Sequence, residues 1–149
     1  EGAADYPDYR KLSADLLFKW NGFSLLAEYV NATANGLNGL YVEKDEGAKL
    51  KPRQIANYLA LGNGLNVQAG YLFRKLWALD VAYSKVNPEW KETGQSVLRE
   101  ADNITFGASK YFNNNTFKLQ LAGSYTSYNQ LVGAGSKEFQ VKLNLHILF

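Results

Sequence analysis

Lys19, Lys118 and Lys142, with Asp15, Glu28 and Asp80, all stand at positions that alternate with apolar neighbours. Charged side chains spaced in this way share the wet face of strands, where they can act on an ion passing by, as charged rings do in channels. They can equally pair with one another and brace a wall. Three of each sign gives no preference for anions or cations. His146, the single histidine, falls on the same wet face and reads as a polar lining residue, because nothing in the chain supplies it with metal-ligand partners.

Other chemistry finds little support. The chain has no Cys, so it has neither disulfides nor thiolate chemistry. With one His there is no Ser-His-Asp spacing, and Glu89 and Glu92 share a loop that does not set them as an acid/base pair. Gly62 and Gly64 match a fragment of a phosphate-binding loop, but no helical pattern follows, so they read as small residues within a strand. A formal charge of +2 gives no case for nucleic acid. No metal, cofactor or enzymatic activity is expected.

The elements that place these residues are strands. From Phe139 to Phe149 the apolar residues Phe139, Val141, Leu143, Leu145, Ile147 and Phe149 alternate with Gln140, Lys142, Asn144 and His146, a period of two. Six further segments alternate: Leu12 to Trp20, Phe23 to Val30, Tyr58 to Phe73, Trp77 to Ser84, Asn103 to Phe112, and Phe117 to Tyr125. Asn21-Gly22 is a two-residue hairpin signal. Arg74-Lys75 and Asn113-Asn114-Asn115 read as the other tight turns. Between them lie long connections: roughly 31–53, NPEWKETGQSV and NQLVGAGSK. The charge run Glu43 to Arg53 is expected to be a solvated loop, with folding inward as a constriction the alternative. Asn31-Ala-Thr33, Asn103-Ile-Thr105 and Asn114-Asn115-Thr116 match glycosylation triplets that carry little weight in such a chain.

The longest charge-free run, Gln54 to Phe73, contains Asn57, Asn63, Asn66, Gln68 and several Gly, so it is no transmembrane helix. Hydropathy is blind, however, to strands that cross a membrane. Every short turn is flanked by aromatics on the apolar face: Phe18, Trp20 and Phe23; Tyr71, Phe73 and Trp77; Phe112 and Phe117; with Phe149 on the same side. Toward the long loops the apolar face carries Tyr29, Tyr83, Tyr125 and Phe139. Aromatic bands at both ends, with short turns on one side and long loops on the other, form the pattern of a membrane barrel. Ten steps from Phe139 to Phe149 at about 3.3 Å, tilted ~40°, span roughly 25 Å, the height of such an apolar band. The opposite face is rich in Gly, Ala, Ser, Asn and Gln, whereas a solvent face carries more Lys and Glu. That separates a barrel interior from the exterior of a soluble sandwich.

The expected fold is therefore an all-β antiparallel transmembrane β-barrel, with about 7 strands and 1–149 as a single domain. Bacterial barrels have an even strand count. Either an eighth strand lies in 39–53, or the chain is the C-terminal part of a larger barrel, incomplete at its N-terminus. The second is preferred, with EGAADYPDYRK as the tail of an outer loop.

The runs DLLFKWNGFSLLAEYV, GLNVQAGYLF followed by LDVAYSKVNPE, and NITFGASKYFNNNTFKLQLAGSYT resemble the C-terminal half of the phosphate-selective porin O and P family of Bacteroidota. The resemblance implies a sixteen-stranded barrel, often trimeric, that passes small anions or general solutes across the outer membrane of a Gram-negative cell. Phosphate-selective members line the pore with an arginine ladder. Here Arg10, Arg53, Arg74 and Arg99 all fall at strand ends, turns or loops, which argues for a less selective porin. Leu145, Ile147 and the terminal Phe149 resemble the signal read by the barrel-assembly machinery. The expected pore lining is Asp15, Lys19, Glu28, Gln68, Asp80, Lys118, Gln120, Lys142 and His146. The expected partners are outer-membrane lipid, permeating solutes and two further copies of the chain. A small eight-stranded barrel with a structural or adhesive role is the alternative, and a barrel enzyme is a remote third.

Overall fold

Alternation, Gly-containing turns and β-branched or aromatic residues favour paired strands, and the chain forms seven of them. The computed structural model describes residues 8–35, 60–74, 76–89, 99–112, 117–129 and 136–147. The strands are β1 (Asp8–Trp20), β2 (Phe23–Asn35), β3 (Gly62–Phe73), β4 (Trp77–Pro88), β5 (Ala101–Phe112), β6 (Phe117–Tyr128) and β7 (Lys137–Ile147). They form one antiparallel sheet in sequence order, with no helix among the described residues. β1 and β7 are its edges. They run in the same direction, and no pairing joins them among the described residues.

The short turns are part of the sheet. Asn21 (φ 45°) and Gly22 (φ 87°) take the left-handed conformations of a type I′ hairpin, so the turn's twist matches that of its strands. A Cβ on Gly22 would also stand 2.8 Å from the Leu72 carbonyl. The Gly22 carbonyl accepts the Leu72 N–H (2.8 Å), and the Leu76 carbonyl accepts the Tyr111 N–H (2.8 Å), so each turn is sewn to the next strand. Arg74 (φ 46°) shapes the β3–β4 turn, closed by Leu76 N–H on the Phe73 carbonyl (2.9 Å).

The pairing register contains a staircase. Phe23, beside the first turn, pairs with Tyr71, yet β3 runs two residues further, to Phe73, before turning. Trp77 pairs with Lys110, and β5 again runs two residues further, to Phe112. If the turns share one level, each strand slips about one residue against its neighbour. One step of ~3.3 Å over a strand spacing of ~4.8 Å inclines the strands by about 35°.

Several boundaries differ from the alternation. Strand β1 begins at Asp8, and Asn31–Asn35 extend β2 and pair with Asp8 to Leu12 of β1, so residues that read as the start of a loop lie in a strand. Strand β4 continues to Pro88, and Lys137 with Glu138 belong to β7. Strand β3 begins at Gly62, later than Tyr58. Leu61 precedes it and is buried, its carbonyl accepting the Glu89 N–H (3.1 Å), so it does not extend the apolar stripe. The segment 39–53, Lys75, the Asn113-Asn114-Asn115 turn and Phe149 lie outside the described residues.

Candidate functional site

The register sorts every strand residue onto one of two faces. The apolar face bears Leu12, Ala14, Leu16, Phe18 and Trp20 on β1 and Phe23, Leu25, Ala27 and Tyr29 on β2. It continues through Leu65 to Phe73 on β3 and Trp77 to Tyr83 on β4. Ile104, Phe106 and Phe112 extend it on β5, Phe117, Leu119 and Leu121 on β6, and Phe139 to Ile147 on β7. Most of these side chains are exposed, and among the described residues no second layer covers them: Phe106 is 60% exposed, Leu143 68% and Leu145 57%, while Phe23, Leu25 and Phe117 are half-buried. On the central strands the polar face is the more enclosed one, with Ala78 at 8% and Ser109 at 1%. Small residues hidden on one face and large apolar ones bare on the other describe a sheet curved around its polar side.

The apolar face keeps a similar height from β1 to β6. Moving away from each short turn, the first polar residue met beyond the apolar stripe is Arg10, Asn31, Asn63, Lys85, Asp102 or Ser127 on β1 to β6. Each lies eight to ten residues from its turn, roughly 22–27 Å along an axis tilted from the strands as above. One transverse row makes the inclination visible: Ala14, Tyr29, Leu65, Lys85, Asp102, Ser127, Lys137. It starts inside the apolar stripe and ends outside it. The upper rim is cross-linked by polar contacts. Tyr83 Oη donates to Asp102 (2.6 Å), Lys85 Nζ lies 3.3 Å from the same carboxylate, and Asn87 donates to Asn63 (2.9 Å).

The aromatic band follows the turns rather than the rows. Phe18 and Phe23 (6.3 Å between centroids), Tyr71 and Phe73 (4.6 Å), and Phe112 and Phe117 (5.1 Å) pack as tilted or edge-on pairs. Trp20 and Trp77 stand beside them at the turns, both exposed. Phe149 lies outside the described residues.

The polar face gathers Asp15, Lys19, Glu28, Gln68, Asp80, Lys118, Gln120, Lys142 and His146, all on one side by register. Lys19 and Lys118 stand at the first polar-face position from their turns. Asp80 stands three residues from Trp77, and Asp15 and Glu28 pair directly, five residues from Trp20 and Phe23. Lys19 and Lys118 thus lie beside the turns and Asp15, Glu28 and Asp80 above them, while Lys142 shares the row of Asp80 through Gly107 and Ala122. Glu28 accepts the Asn66 amide (2.8 Å), while Asn103 donates to Thr126 (2.6 Å) and accepts from Thr105 (3.0 Å). The Lys118 ammonium lies 5.4 Å from the Tyr111 ring centroid. Glu138 and Lys11 also fall on this face, and alternation over shorter strands does not reach them.

Comparison with protein-family models, curated proteins and solved structures finds no match to this chain.

Asp80 occupies a notch. It pairs with Gly70 on one side and Gly107 on the other, and a Cβ on Gly70 would collide with its carboxylate oxygen. The side chain thus lies along the wall instead of standing out from it. Together Gln68, Ala78, Asp80, Thr105, Lys118 and Gln120 border a hollow on the polar face. This arrangement can hold water and small polar solutes against a wall with few large side chains. Among the described residues no arginine projects from this face: Arg10 is on the apolar side of β1, Arg74 is in a turn and Arg99 precedes β5.

Proposed function

We propose that this sheet is part of the wall of a transmembrane β-barrel, and that the barrel is a porin of the Gram-negative outer membrane. The observation that carries this reading is the exposed apolar stripe, of similar height from β1 to β6, rimmed by aromatics at the turns and by polar side chains at the far end. Its roughly 25 Å is the height such barrels present to hydrocarbon. Water would penalise a stripe of this size, whereas lipid does not. The polar face then lines an aqueous lumen, with Asp15, Lys19, Glu28, Asp80, Lys118 and Lys142 in contact with permeating ions.

Open edges support a larger circumference. A lipid-embedded sheet leaves no unpaired backbone, and β1 and β7 run parallel to each other. Joining them through antiparallel pairs requires an odd number of further strands. An eight-stranded barrel needs one, but its interior is filled by side chains. On the central strands the rows Gly70, Asp80, Gly107, Ala122 and Gln68, Ala82, Thr105, Ser124 carry small side chains, which supports a wall that does not fill its own interior. A wider barrel, about sixteen strands as the resemblance to the porin O and P family implies, leaves them facing water. Trimeric assembly, insertion by the barrel-assembly machinery and passage of small solutes or ions, anions included, are what the same resemblance implies.

Reconstitution of the intact protein in a planar bilayer tests the reading. Stepwise ohmic conductance is expected; none at any voltage would overturn it. In a salt gradient, Lys118→Gln is expected to move the reversal potential toward cation preference. An unchanged potential would leave Lys118 as a brace against Tyr111. A mass of the intact membrane polypeptide two to three times that of this chain would favour the wide barrel over the small one.

A further inference from the structure

Within the apolar stripe, Lys110 is the one charged side chain among the described residues. Its neighbours on the same face of β5 are Ala108 and Phe112, and it pairs with Trp77 and Leu119. The ammonium lies 4.1 Å from the Trp77 ring centroid and 5.7 Å from that of Phe112. Among the described residues no carboxylate lies within ion-pair distance of it. The stem therefore crosses apolar surface and delivers the charge to the aromatic level beside the short turns, as snorkelling lysines do.

Directly above Lys110 the stripe is hollow. Ala108 lies between Leu79 and Leu121, its paired neighbours, and beyond it come Phe106 and Gly123, also paired. The hollow holds about 520 Å³ and is walled mainly by apolar side chains, Phe23, Leu79, Val81, Phe106 and Leu121 among them. A Cβ on Gly123 would meet nothing within 4 Å. The glycine is therefore not there to admit another part of this sheet; the space faces outward.

We propose that Lys110 and this groove bind one anionic glycerophospholipid, the phosphate on the ammonium and an acyl chain between Leu79 and Leu121. The inference rests on the apolar face meeting lipid. Charge complementarity chooses the occupant. A cation without an acidic partner among the described residues, at the depth of the headgroups, stands one same-face position from Ala108 in the wall of a groove wide enough for a hydrocarbon chain and offering little polar surface to a peptide. Cation–π contact with Trp77 holds the ammonium in place and leaves its N–H groups to donate to phosphate oxygens.

Trp77 supplies the readout. The intact protein is refolded into vesicles of phosphatidylcholine containing a fraction of brominated phosphatidylglycerol or brominated phosphatidylcholine. The quenching due to Trp77 is the difference between the protein and its Trp77→Phe variant. Brominated phosphatidylglycerol is expected to compete for the site about fivefold better, the effect of one cation near an anionic lipid. Lys110→Gln should abolish that preference, and Gly123→Leu, which fills the groove, should weaken quenching by phosphatidylglycerol. Equal quenching by both lipids, or a preference that survives Lys110→Gln, would overturn the lipid site while leaving the lipid-facing stripe intact. Quenching by neither lipid would overturn the membrane reading itself.

Discussion

Leu121 and Gln120 are chain neighbours on β6 that project to opposite sides of the sheet. Leu121 is 52% exposed on the apolar face, whereas Gln120 is half-buried on the polar face beside Thr105 and Lys118. In a protein dissolved in water the larger apolar residue would take the more enclosed side. Here the assignment is reversed along β4, β5 and β6, the strands flanked on both sides. The reversal is what the proposed membrane reading requires, with a medium outside the sheet less polar than the space it curves around. Crowding on the polar side comes from curvature and is relieved by glycine, as at Gly70 and Gly107 around Asp80.

The sharpest way to break this comparison is to place one charge on each side. Leu121→Lys is expected to destabilise the refolded protein in vesicles by about 2–4 kcal/mol, the cost of a lysine near a bilayer's mid-plane. Gln120→Lys should change stability by less than about 0.5 kcal/mol, as at an ordinary surface site. Urea unfolding in lipid measures both, and equal effects would erase the distinction between the faces. A smaller effect sharpens the crowding on the polar side. Gly70→Ala should cost about 1 kcal/mol because Asp80 must rotate away, and the cost should vanish in an Asp80→Ala background. A double-mutant cycle without coupling would show that Asp80 does not rest on the glycine. The smallest effect concerns the rim of the apolar face. Tyr83→Phe removes the donor to Asp102 and should lower the urea midpoint by less than Gly70→Ala does. The parallel loss in Lys85→Gln should shrink further at high ionic strength, where exposed pairs are screened.

Much of this was legible in the residues. Alternation names the faces, because parity is a local property: Phe106 and Leu143 are recognisable without knowledge of their neighbours. Asn21-Gly22 names its own turn because few other dipeptides tolerate those dihedrals. Height above the turns was less legible. It depends on how far each strand slips against the next, and only the pairing of Phe23 with Tyr71 and of Trp77 with Lys110 reveals that slip. The separation of Lys19 and Lys118 from Asp15 and Glu28 was hidden for the same reason. Strand ends were obscured where both faces turn polar, as at Asn31 to Asn35, since alternation carries no contrast there. Leu61 misled in the other direction: its parity suits the apolar stripe, but Gly62 (φ 140°) bends the chain before the ladder starts. Lys110 broke the apolar pattern of β5, and its place over Trp77 needed coordinates.

The order of strands in the sheet is the order of strands in the chain, from first to last. Among the described residues each strand pairs only with its neighbours in the chain, so a duplicated or deleted hairpin would leave each remaining partnership as it was. On the proposed barrel reading, girth is countable in pairs of strands, and gain or loss of one hairpin at a time would tune aperture without redesigning any existing seam.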